Sequence, residues 1–255
     1  MNLFNKKDLF LLEEIVRRNF FSKYKDSVLG VFWTVLKPLL MTILFTIIFS
    51  TVFGRSIENF PLYFLSGRCI FEFFNNGISV SMNAIKGNKN IIQKTAAPKY
   101  IFILGSIISE FLTFIIYLIL LVGVIIVTHA QFYIIAPMGI IPIISLIIMV
   151  TGLGFMLSIA CVYYTDIQHL WSVLSVMIMY ASALFYPMEI VPEPYRSYMM
   201  LNPLYWIVDQ FRCFIYAGTI PSLLNIINSL LLSSIIFVLG IIVFKKYEYK
   251  VTMRL

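Results

Sequence analysis

Charge is the scarcest feature of this 255-residue chain: Asp, Glu, Lys and Arg make up 12% of it, about half of what a soluble domain carries. So little charge cannot coat a water-soluble surface, and long apolar runs leave no room for a sizeable soluble domain. Histidine occurs only twice, and His129 and His169 fall on opposite predicted sides, where they cannot share a metal. Cys69, Cys161 and Cys213 are far apart in or near apolar stretches. They lack metal-binding or redox spacing and read as core thiols. The Gly-rich loop ending in Lys and Ser or Thr that cradles nucleotide phosphates is missing. The chain is therefore expected neither to hydrolyse ATP itself nor to carry a cofactor. Paired acids or histidines at one level, which a membrane-embedded glycosyltransferase or lipid-modifying enzyme needs, are missing too. Glu110 stands alone in an apolar helix, the setting of a buried, hydrogen-bonded or protonated carboxyl. The start, Met1 to Phe4 followed by Asp8, Glu13 and Glu14, lacks the apolar core and small-residue cleavage pattern of a signal peptide.

What is abundant is apolar surface: hydrophobic residues form 60% of the chain, with 23 Phe and 15 Tyr. The positive charge is gathered rather than scattered, since 15 of the 19 Lys and Arg fall within residues 6–37, 86–99 and 245–254. Between these blocks lie hairpins of two or more apolar segments. Basic ends and one basic internal loop, alternating with neutral loops, mark a polytopic membrane protein with both termini in the cytoplasm. The net charge of +7 then answers to anionic lipid or an acidic partner at the membrane edge, not to nucleic acid.

Along residues 5–29, Leu9, Leu12, Ile15, Val16, Phe20 and Phe21 separate at helical spacing from Glu13, Glu14, Arg17, Arg18, Lys23 and Lys25. The segment is too polar to span and should lie along the cytoplasmic interface. Six all-α spans are predicted, at about 31–53, 60–85, 100–127, 134–162, 170–187 and 223–244, with a short outer loop over 54–59. The second carries Arg68, Glu72, Asn75, Asn76, Ser79, Ser81 and Asn83; such groups face protein or a water-filled path, not lipid. Gly152, Gly154 and Ser158 in the fourth permit close helix packing. Residues 86–99 form the longest basic cytoplasmic connection, where Ile91, Ile92, Ala96 and Ala97 suit a short surface helix. Prolines 187, 192, 194, 203 and 221 interrupt residues 186–221, which suits two short re-entrant helices packed against protein.

Arg68 and Glu72, four apart on one helical face, can form an intramembrane ion pair. The pair either fastens helices or places charge beside a translocation path. The aromatics, among them Phe71, Phe155, Tyr163, Tyr180 and Tyr186, read as lipid anchors or core, or as a lining on which apolar sugar faces stack. Lys86, Lys89, Lys94 and Asp166 read as contacts for a cytoplasmic partner or as an ordinary solvated membrane edge.

The run Lys23-Tyr24-Lys25-Asp26-Ser27-Val28-Leu29-Gly30-Val31-Phe32-Trp33, followed by Lys37-Pro38-Leu39, is similar to the junction of interfacial helix and first span in ABC-2 type permeases that export polysaccharides. Tyr164-Thr165-Asp166-Ile167 resembles that family's fourth-to-fifth turn, with Thr165 where an Arg is common. Tyr186-Pro187, Ile190-Val191-Pro192 and Leu201-Asn202-Pro203-Leu204-Tyr205 resemble its late external region.

The resemblance implies a homodimer in the bacterial inner membrane, with two cytoplasmic ATPase subunits that bind ATP and Mg2+. Residues 1–30 would be a gate helix and 31–255 the transmembrane domain. The substrate would be a polyprenyl-diphosphate-linked O-antigen or capsule-type polysaccharide. Arg17, Arg18, Lys23, Tyr24 and Lys25 would meet the diphosphate at the inner entrance. Arg68, Glu72, Asn75, Asn76, Tyr163 and Tyr180 would line the path, and Lys86, Lys89, Lys94, Pro98 and Asp166 would seat the ATPase. Tyr186, Pro187, Pro192, Asn202 and Pro203 would shape the external mouth, with re-entrant helices over about 188–216. A teichoic-acid exporter is the nearest alternative, then a drug or small-lipid exporter. An ion-coupled transporter would call for internal repeats or matched broken spans, and neither is found.

Overall fold

The computed structural model describes residues 6–25, 27–52, 57–95, 97–252 and 254. Over these residues the chain is helical, without strands. In order come α1 (Lys6–Ser22), α2 (Phe32–Val52), α3 (Phe60–Ala84), α4 (Lys89–Lys94), α5 (Lys99–Val127), α6 (Ile140–Tyr163), α7 (Ile167–Ala181), α8 (Glu193–Met200), α9 (Pro203–Arg212) and α10 (Leu223–Thr252). Part of the expected loop 54–59, together with Met1 to Phe4, Asp26 and Ala96, lies outside the described residues.

Among the described residues, four helical stretches are long and apolar enough to cross a membrane: Phe32–Phe49, Lys99–Val127, Ala136–Tyr163 and Leu223–Val251. Two of the expected spans differ from these. The 25 residues of α3 reach roughly 37 Å at 1.5 Å per residue, enough to cross, but its polar side chains keep it out of the apolar set. Helix α7 is a 15-residue apolar helix that stops at Ala181, short of the expected 187. It reaches only about 22 Å, less than the ~30 Å hydrocarbon core. The chain leaves the helix at Ser182, and Ala183 takes a left-handed backbone with φ 51°. The last helix runs on past the expected 244 to Thr252, so Lys245, Lys246 and Lys250 extend it rather than form a separate tail.

Helix α3 is the hub. Phe64, Leu65, Ile70 and Ile78 are fully enclosed, and α3 packs against α2, α5, α6, α7 and α9. Its start is set by Asn59, whose side chain accepts the backbone N–H of Leu62, with Pro61 in the first turn where no donor is needed. Helix α1 lies on α5, with Ile15 as its one buried residue. Helix α2 is mostly exposed apolar surface, the condition of a helix facing lipid or another subunit.

Helices α6 and α10 form the most extensive pair in the fold, and small residues permit it. A Cβ on Gly152 would stand 2.5 Å from Phe237 Cα and 2.7 Å from the Ile236 carbonyl oxygen, and one on Gly240 would strike the Gly152 backbone. Backbone cannot yield as a side chain can. On α6, Gly154 and Ser158 face inward as expected, with Gly154 set against Ser81 of α3. Gly152→Leu and Gly240→Leu should each destabilise the fold by at least the ~1–3 kcal/mol of an overpacked core, read as a lower unfolding midpoint in detergent. Gly123→Ala on α5, where a Cβ meets nothing within 4 Å, should leave it unmoved. Equal shifts in all three would refute the packing account.

Candidate functional site

Among the described residues, three polar clusters interrupt the apolar packing. At the basic end, where α3 finishes and α5 begins, α1 and the turn after it are fastened to the bundle by side chains. Lys23 Nζ lies 2.6 Å from Glu110 Oε1, whose side chain is 5% exposed, and also donates to Thr113 Oγ1 at 3.4 Å. Asn19 Nδ2 donates to Ser106 Oγ at 3.2 Å, and Arg18 Nη2 to Asn88 Oδ1 at 2.6 Å. Tyr24 shares a 2.6 Å hydrogen bond with Thr34 at the start of α2. Glu110, which stands alone in its stretch of sequence, is buried as expected but paired in the fold. Its partner is a lysine expected to stand open at the entrance. The contacts frame a cavity of about 540 Å3 lined by Arg18, Asn19, Lys23, Asn83, Asn88 and Glu110, among others. Arg17 and Lys25 are exposed and do not line it.

The second cluster sits midway along α3. Arg68 and Glu72 make the expected ion pair, Asn76 Nδ2 donates to Glu72 Oε2 at 3.1 Å, and Asn75 Oδ1 accepts from Trp171 Nε1 of α7 at 3.2 Å. Arg68 also reaches Met179 Sδ on α7. Tyr163 and Tyr180 do not join this group. The Tyr163 ring stacks under Arg254, 4.6 Å from centroid to guanidinium carbon, near Tyr247. The Tyr180 residue is 54% exposed and its ring packs on Phe185.

The third cluster centres on Arg212, a residue to which sequence reading assigned no role. Its guanidinium is buried and donates to the carbonyls of Ala183 at 2.8 Å and Leu184 at 2.9 Å. It also donates to the Tyr63 hydroxyl at 2.9 Å and lies 3.7 Å from that ring's centroid. The early end of α7 explains this geometry: carbonyls released by the break at Ser182 become acceptors for the cation. Gly67 makes the space, because a Cβ there would fall 2.7 Å from Arg212 Nη2. Beside it, Asp209 accepts from Asn225 Nδ2 at 2.5 Å, while Gln210 Nε2 donates to Asn225 and Ser229 of α10. A signal for this contact was present in sequence. Asn225, Ser229 and Ser233 recur every four residues along an apolar helix, and all three are buried.

The expected external-mouth residues surround the same cluster. Asn202 accepts the Leu204 N–H to start α9 and donates to Ser182 Oγ at 2.8 Å, with Pro203 in the first turn. Tyr186 donates to the Tyr180 carbonyl. Pro187 and Pro192 flank a turn held by Arg196, which donates to the carbonyls of Glu189 and Val191. The expected coupling residues gather at the basic end. Lys89, Lys94 and Asp166 are exposed, Lys86 opens the turn before α4 and Pro98 precedes α5. Gln168 donates to Asn83 at 2.6 Å, tying the turn near Asp166 to the end of α3.

Replacing Arg212 by Met should strand carbonyls at ~1–3 kcal/mol for each group left unpaired. Lys, lacking the planar fork, should rescue little of the loss. The check is the unfolding midpoint in detergent; a midpoint for Arg212→Lys equal to that of the unaltered protein would refute the fork account.

The sequence profile for the ABC-2 type transporter matches residues 11–216. Among individual proteins, the chain is 25% identical over 243 residues to the O-antigen export system permease protein RfbA of Klebsiella pneumoniae, covering 94% of this chain and 93% of that one. It is 23% identical over 212 residues to the polysialic acid transport protein KpsM of Escherichia coli, covering 82% of each. Identity to the capsule polysaccharide export inner-membrane protein CtrC of Neisseria meningitidis is 19% over 244 residues, covering 92% and 89%. With the profile spanning most of its length and several helices apolar enough for a bilayer, the chain belongs to the ABC-2 type transporter family and is a multi-pass membrane protein.

Proposed function

We propose that the chain is the membrane-spanning permease subunit of an ATP-driven exporter, moving a polyprenyl-diphosphate-linked polysaccharide of O-antigen or capsule type across the bacterial cytoplasmic membrane. The observation that carries the reading is near full-length similarity to proteins named for export of O-antigen and capsule polysaccharide. Sugar hydroxyls cannot enter hydrocarbon uncompensated, so two copies of the chain would enclose a polar or aromatic-lined path. Six spans follow if α3 and the short α7, extended by residues 182–187, cross beside the four apolar stretches. Helices α8 and α9 would then dip into the outer leaflet and return. The basic ends and residues 86–99 face the cytoplasm, where α4 and the turn near Asp166 would rest on two ATPase subunits. Closure of those subunits on ATP would shift α4 and change the width of the path.

Arg17, Arg18, Lys23, Tyr24 and Lys25 would meet the lipid diphosphate at the inner entrance, because a diphosphate calls for close positive donors. The arrangement supports unequal roles. Arg18 and Lys23 line the cavity, and Lys23 is already matched to Glu110.

The overall test is copurification with an ATPase whose turnover responds to a defined lipid-linked glycan; no associated ATPase would sink the reading. Arg18→Gln, and separately the paired change Lys23→Gln with Glu110→Gln, should lower export and substrate-stimulated ATP hydrolysis with assembly intact. The paired change avoids leaving Glu110 buried without its cation. Unchanged activity would remove both cations from the entrance. Arg68→Ala or Glu72→Ala should each reduce export more than the double swap of the two residues. Equal loss in all three at normal protein levels would dissolve the functional pair.

A further inference from the structure

At the end of the bundle away from the basic segments lies a cavity of about 730 Å3, within the ~300–1,000 Å3 common for small-molecule sites. It is enclosed by the start of α3, the turn after α5 and the π-helical turn Cys213–Ala217. Glu58, His129, Gln131, Tyr133 and Tyr216 are among its lining residues, which carry a carboxylate, an imidazole, a carboxamide and two phenols. Among the described residues of the lining there is neither Lys nor Arg, so an anion meets no cation among them. An apolar ligand would dehydrate the polar groups without replacing their hydrogen bonds. A ligand with many hydroxyls and apolar C–H faces answers both needs. Carboxylate and amide oxygens accept from hydroxyls, amide and imidazole N–H groups donate, and phenol rings lie on C–H faces.

The walls are tied to one another across the fold. Asn59 Nδ2 donates to Thr128 Oγ1 at 2.9 Å, joining the start of α3 to the end of α5. The Tyr216 hydroxyl donates to the Glu58 carbonyl, and its ring meets that of Tyr63 edge-on at 5.5 Å. Such cross-bracing fixes the walls relative to one another before a ligand arrives, which lowers the ordering cost of binding. Tyr216 and Ala217 also line the neighbouring cavity of about 270 Å3 over Arg212, where Tyr205 and Asp209 continue the mixed phenol and carboxylate surface.

We propose that this outer cavity is a saccharide-binding subsite, which holds a sugar unit of the glycan as it leaves the protein. The inference rests on the polysaccharide-export reading above and adds a place and a set of contacts to it. Sugar units would pass from the 270 Å3 cavity past Tyr216, with Gln131 and Glu58 exchanging hydrogen bonds with their hydroxyls.

The test uses the full chain in cells that export the polymer. A photo-crosslinking p-benzoylphenylalanine replaces Gln131, or Ile119 on the exposed apolar surface of α5, or Tyr180. Illumination should give a glycan-bearing adduct at position 131 and none at 119. Gln131→Ala and Tyr216→Phe, each removing one hydrogen-bonding group, should lower surface polymer roughly two- to tenfold at unchanged protein level. A glycan adduct at 180 but none at 131, with export unaltered in both variants, would overturn the subsite and leave the export reading standing. Deletion of the gene without loss of surface polymer would overturn the export reading, and the subsite with it.

Discussion

In α3 the polar side chains sit where hydrocarbon would offer them nothing, so each needs a partner from α3 itself, as Arg68, Glu72 and Asn76 supply to one another, or from another helix. That requirement governs the placement of the rest of the bundle. Tyr63 turns to Arg212 and to the end of α7, Asn75 to Trp171, and Asn83 to Gln168. An unmet polar group in such surroundings costs several kcal/mol, more than a typical packing contact contributes. A helix too polar to face lipid therefore becomes the hub that apolar helices surround.

Arg212 is the extreme case of the same rule. A buried cation needs compensation, and here most of it comes from backbone carbonyls and an aromatic face rather than from a bonded carboxylate. The break in α7 is the structural counterpart of that compensation. Local backbone order is given up at Ser182 and Ala183, and a junction of α3, α7 and α9 is gained. At the opposite end Lys23 and Glu110 do similar work by direct charge pairing. The two ends are therefore built differently. The basic end is held by long side chains from α1 and the turn after it, and the other end by a network woven through short helices and turns.

Much of the architecture was legible from composition. The basic blocks, the apolar stretches and the proline-interrupted region over 186–221 all correspond to elements found in the fold. Arg68 and Glu72 could be paired in advance because helical spacing alone brings residues four apart together. The small residues of α6 announced a close helix contact, though nothing local said that Gly240 of α10 would meet Gly152. The end of α7 was misplaced because residues 182–187 remain apolar, and hydropathy is blind to a carbonyl turning toward a distant guanidinium.

Sequence by itself determined the class of molecule, the segregation of its charge and the helical character of its segments, since these depend on composition and on neighbours within a turn or two. Tertiary structure alone decided which polar groups meet: Lys23 with Glu110, Arg212 with Tyr63 and the carbonyls of 183 and 184, and Gln210 with Asn225 and Ser229. It also decided that Glu58, His129, Gln131 and Tyr216 share one cavity. The physical reason is common to all of them. A polar group in an apolar bundle takes the partner that packing brings within hydrogen-bond reach, and packing depends on every helix at once.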